Sequence, residues 1–140
     1  MSLGYIGYCT LEIEDACSFV YIYSGRNWNL PKDEADALEA DEGFFTIRKD
    51  ALEEPEIHSK VVRSPGARRT RRTKIVPHFP NIGQHLDDGG IVIDELCGVD
   101  KRESGETGTR LPRIVHNLLV SIFVRYMIDG KVPDRESFIQ

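Results

Sequence analysis

The 140 residues carry 18 Lys and Arg against 23 Asp and Glu, for a formal net charge of −5, with 40% hydrophobic and 29% charged residues. That composition excludes a disordered or fibrous chain. Three cysteines, Cys9, Cys17 and Cys97, are an odd number without paired spacing, which excludes a disulfide framework; a chain of this length can bury a core without one.

One α+β domain spanning 1–140 is the expectation. The opening MSLGYIGYCTLEIED has neither a basic n-region nor a long apolar h-region, so no secretory leader is predicted. The longest apolar stretch, Ile114–Val124, is broken by His116, Asn117 and Ser121 and is too short to span a bilayer. These absences predict a cytoplasmic protein with no membrane contact, and no residue pattern calls for a cofactor.

In chain order, LGYIGYCTLEI (3–13) and SFVYIYSG (18–25) mix β-branched and aromatic residues and read as a hairpin of two strands. Pro31 followed by KDEADALEAD predicts a minor helix near 31–41. Its early Asp33 and Glu34 suit the positive end of the helix dipole, and its late carboxylates predict a frayed end. FFTIRK is a short strand, and DALEEPE a single turn broken by Pro55. IHSKVVR and RRTRRTKIVPHF flank SPGA, which predicts a hairpin protruding at about 58–79 with its tip at Pro65 and Gly66. HFPNIGQHLDD reads as a loop, IVIDELC (91–97) as a strand, and GVDKRESGETG as a polar loop.

The best-defined element is a long helix at about 110–129, capped by Thr109 and ended by Gly130. Arg113, Asn117, Ser121 and Arg125 recur every four residues as one polar stripe, and nearly everything else is apolar. Leu111, Ile114, Val115, Leu118, Ile122, Phe123 and Tyr126 should therefore supply much of the core. Such a helix is either wrapped by a curved sheet or shared with a second copy in a homodimer through 110–129. The architecture expected is a mainly antiparallel, curved sheet of five to seven strands packed on this helix. The tail KVPDRESFIQ reads as extended.

Charge is distributed very unevenly. Residues 12–56 hold 13 acids and 4 bases, residues 57–86 hold 7 bases and no acids, and residues 87–140 hold 10 acids and 7 bases. The basic block is Lys60, Arg63, Arg68, Arg69, Arg71, Arg72 and Lys74, all on the predicted hairpin. Strand alternation puts Arg69 and Arg71 on one face and Arg72 and Lys74 on the other. A cationic ribbon can lie along or within a nucleic-acid groove, each Lys or Arg releasing a counterion as it neutralises a phosphate. No aromatic residue lies between Lys60 and Lys74, so base stacking is not expected there. The competing plain reading is a solvated loop, or one paired with the acidic 33–56 region of its own or a neighbouring chain.

Other constellations are thinner. His78, His85 and Asp87 combine imidazole and carboxylate, which suits zinc or another divalent metal, although the His-x6-His spacing matches no standard ligand pattern. Cys97 at a strand end and His116 on the helix could form a thiol–imidazole pair, but a core cysteine is the simpler reading. Asp94 and Glu95 could meet Glu12 and Glu14 as paired carboxylates if their strands adjoin. SGETGTR before the helix lacks the phosphate-loop pattern. The favoured function is a non-enzymatic binding module whose Arg-rich hairpin takes nucleic acid or an acidic partner. The alternatives are a small metal-dependent hydrolase on His78, His85 and Asp87, or a structural and assembly role.

Overall fold

A computed structural model describes residues 4–63, 66, 69–107 and 111–140. Two long strands, β1 (Tyr5–Glu14) and β2 (Ser18–Asn27), form the expected hairpin, and Asp15 holds its turn by accepting from the Cys17 and Ser18 amides. Helix α1 (Lys32–Ala40) leads into β3 (Gly43–Arg48) and a 3-10 turn at Lys49–Ala51. Then follow β4 (Glu56–Arg63), β5 (Arg69–Val76), α2 (Ile82–Asp88), β6 (Ile91–Glu95), α3 (Gly98–Thr107), α4 (Arg113–Asp129) and β7 (Arg135–Ile139). The strands make an antiparallel five-stranded sheet in the order β6-β3-β2-β1-β7 and a separate two-stranded ribbon, β4-β5.

Alternation decides which residues enter the core. Cys9, Phe19, Tyr21, Tyr23, Phe45, Ile47 and Ile91 point from one face of the sheet onto α4. From the helix, Ile114, Val115, Leu118, Leu119, Ile122 and Phe123 are fully buried. Gly7 and Gly25, side by side on β1 and β2, let the helix approach closely: a Cβ on either would lie 3.0 or 2.9 Å from Ile114.

The fold class is the expected one, with departures in detail. Residues 98–107 form helix α3 rather than a loop, and 82–88 form α2. The tail is extended, as expected, and forms an edge strand, β7, paired to β1. The α1 carboxylates that predicted fraying are tied down, Asp36 to Lys32 and Arg26 at 2.7 Å each, and Glu39 to Arg26 at 3.1 Å.

Finally, α4 begins at Arg113 with Pro112 as N-cap residue and no side-chain cap of its own. Its first amides, those of Ile114 and Val115, donate instead to the buried Asp100 carboxylate of α3 at 3.0 and 3.1 Å. Thr109 lies outside the described residues. Among those residues no helix is long and apolar enough to cross a membrane.

Candidate nucleic-acid interface

β4 and β5 pair antiparallel with Glu56 opposite Val76 at the base and Arg63 opposite Arg69 towards the tip. Directly opposed residues share a face, so the register divides the ribbon cleanly. One face carries His58 opposite Lys74 and Lys60 opposite Arg72. The other carries Ile57 opposite Ile75, Ser59 opposite Thr73 and Val61 opposite Arg71.

Lys60, Arg69, Arg71, Arg72 and Lys74 are all exposed, and none has an ion-pair partner among the described residues. Arg68 lies outside the described residues, as do Pro65 and the side chain of Arg63. Several carboxylates of the acidic 33–56 region are paired away from the ribbon, Asp36 and Glu39 with Arg26, Glu34 with Arg102 and Asp50 with Arg48, while Glu56, at the base of β4, lies 3.1 Å from His58.

Like charges placed directly across a strand pair destabilise it, and a two-stranded ribbon alone in water is marginal. The Lys60–Arg72 pair therefore costs the ribbon stability, whereas His58, opposite Lys74, lies 3.1 Å from Glu56 on its own strand.

The ribbon is held at its root by one carboxylate. Glu53, in the linker before β4, lies 2.8 Å from His78 Nε2, just after β5, and 2.7 Å from His85 Nε2 on α2. It also accepts the Asn81 amide at 2.9 Å. Burial alone would raise the Glu53 pKa, but hydrogen bonds from His78, His85 and the Asn81 amide outweigh it and hold the carboxyl below its ordinary range. A carboxylate only accepts, so both Nε2 atoms carry hydrogen and donate to it. His85 packs against Phe123 in a tilted arrangement with ring centroids 5.4 Å apart, and the neighbouring Glu54 accepts from Tyr126 Oη at 3.1 Å. Both ends of the ribbon are thus pinned to one side of α4.

This arrangement relocates the other sequence candidates. His78 and His85 do come together, but through Glu53. Asp87 is exposed on α2, and the two Nε2 atoms facing the carboxylate are engaged as donors. Among the described residues no group of three or more His, Cys, Asp and Glu side chains is arranged to hold a metal ion. Cys97 is fully buried, and burial pushes its thiol up to about 12, so it carries no thiolate at neutral pH. His116 lies against Phe79, with ring centroids 6.3 Å apart.

Glu12 and Glu14 on β1 are separated from Asp94 and Glu95 on β6 by two intervening strands, so those carboxylates do not pair. Most of the apolar side of α4 is covered within the chain, although Ile128 is 49% exposed and Val120, Val124 and Tyr126 are half-buried. Sequence reasoning missed Glu53; its only signal was a carboxylate just before the basic segment.

The fold and the ribbon together define a two-layer α+β body carrying a basic arm whose five described cations have no ion-pair partner among the described residues. No family model, curated protein or solved structure matches the chain.

Proposed function

We propose that the chain is a non-enzymatic binding module that grips nucleic acid through the phosphate backbone with its β4-β5 ribbon. The observation that carries this reading is the set of five exposed cations, Lys60, Arg69, Arg71, Arg72 and Lys74, without carboxylate partners among the described residues of a chain rich in carboxylates. The major groove of a duplex, about 12 Å wide, admits a two-stranded ribbon. Without aromatic side chains to stack on bases, recognition is directed at the backbone and tolerant of sequence.

The test is fluorescence anisotropy of a labelled DNA duplex, titrated with wild type and with the variant in which Arg69, Arg71, Arg72 and Lys74 are all Ser. Wild type should bind at low salt and weaken steeply as salt rises, and the variant should bind at least tenfold more weakly. Binding indifferent to salt or to the four replacements overturns the proposal. So does binding to polyglutamate in place of duplex, which would assign the ribbon to an acidic protein.

A further inference from the structure

Helices α2, α3 and α4 pack on one face of the five-stranded sheet, while α1 covers only the Tyr8, Ser24 and Arg26 end of the other, where Glu39 accepts from Tyr8 Oη and Ser24 Oγ and pairs with Arg26. An antiparallel sheet with one solvated face ordinarily alternates polar residues outward. Here the outward positions include Ile13, Val20, Ile22, Phe44 and Val92, contributed by four adjacent strands. Ile13, Phe44 and Val92 are 55%, 40% and 46% exposed. Thr10 and Thr46 fill the gaps between them.

These residues lie in rungs. One runs Arg135, Thr10, Ile22, Phe44, Glu95 across all five strands, and the next runs Ile13, Val20, Thr46, Val92. The rung therefore ends in a cation on the β7 edge and in acids on the β6 edge: Glu95, which already pairs with Lys101 at 3.1 Å, and Asp94, which turns outward to accept from Thr46 Oγ1 at 2.8 Å. Its middle is apolar. Arg135 has no ion-pair partner among the described residues.

From this we infer that the open sheet face is the contact surface of a homodimer, stacked face to face about a two-fold axis parallel to the strands. The central strand, β2, lies on the axis, so Ile22 and Val20 meet their own counterparts. The axis carries β3 over the second copy's β1, and β6 over its β7. Arg135 of each copy then faces Asp94 and Glu95 of the other at the same rung, and the contact is self-complementary in charge as well as in apolar surface. Two sheets stacked this way keep their strands roughly aligned, as in a sandwich. Five strands and six residues give a plate roughly 20 Å on a side, and corrugation brings it towards the ~600–800 Å² per partner of the smaller stable interfaces. The ribbons, rooted beside α4 on the other side of the sheet, stay uncovered, so the inference goes beyond the proposed binding function and does not depend on it.

Sedimentation velocity of the full chain over a concentration series tests this. Wild type should dimerise with a Kd of about 1 µM or tighter. Phe44→Lys and Val92→Lys, both at exposed positions, should each weaken the dimer at least tenfold with far-UV circular dichroism unchanged. If one of them fails to fold, the other still decides. Arg135→Asp and Asp94→Arg should each weaken the dimer, and the two together should restore it. A wild type that stays monomeric overturns the inference. So does a dimer untouched by Phe44→Lys and Val92→Lys, or single charge reversals that weaken the dimer without rescue in the pair.

Discussion

Asp100 is fully buried, and its two oxygens accept from the Ile114 and Val115 amides and from Tyr23 Oη, the last at 2.9 Å. The Cys97 amide donates to the same tyrosine oxygen at 3.0 Å. One side chain on α3 thus caps the long helix and ties it to the central strand. Asp100→Ala would strand three donors in a dry site and should cost about 3 kcal/mol or more. Urea denaturation monitored by circular dichroism measures this, and a cost below about 1 kcal/mol would mean that water takes over the cap. Nothing local in VDKRES marks Asp100 as a cap, because its helix partner is 14 residues away and meets it only in the folded chain. Thr109 before an apolar run is the local signal, and the folded chain caps the helix from a distance.

Among the elements, legibility followed periodicity. The β1-β2 hairpin, β3, the ribbon and α4 each carry a clean period of two or of about 3.6, and each forms close to where the pattern puts it. Helix α2 has both an Asn81 cap, accepting from the Gln84 amide, and a C-terminal Gly89 at φ 82°, but its seven residues are too few to establish a period. Helix α3 has almost no apolar stripe: Val99 is buried, while Lys101 and Arg102 are exposed, so packing rather than propensity makes it. The ribbon's cations were plain in the sequence. Its anchor was not, because the Glu53 clamp joins residues up to 32 positions apart. That clamp predicts a pH dependence. A carboxyl held below its ordinary pKa in the folded chain contributes stability above the unfolded value, and loses it as pH falls through the folded one. Glu53→Gln would set an amide N–H or a single acceptor against two imidazole donors, so it should be less stable than wild type at neutral pH by about 1.5–3 kcal/mol. The gap should close as the pH drops to about 4 and below. Thermal melts of both proteins across that range check it, and a gap that widens on acidification would contradict the clamp.

At the scale of the whole molecule, the relevant quantity is the separation of charge rather than its total. Residues 57–86 contribute seven cations, while the remainder of the chain is strongly acidic. On the proposed function, a phosphate backbone approaching from the body side would be repelled and from the ribbon side attracted, so encounter would be oriented as well as accelerated. This field fades beyond about 8 Å at physiological ionic strength, which leaves contacts at the ribbon itself to set the affinity. Each phosphate neutralised on a duplex contributes about −0.9 to the slope of log K against log salt. Seven ribbon cations therefore cap that slope at about −6, and engagement of the five described ones alone gives about −4.5. Arg72→Ser should make it shallower by about one unit, because Arg72 lies on the face shared with Lys60 and Lys74. Replacing Lys131, exposed near the start of the tail, should leave it unchanged. A slope much steeper than −6, or one that Lys131→Ser alters as strongly as Arg72→Ser, would place the phosphate contacts on the body, where the carboxylates make them electrostatically unfavourable.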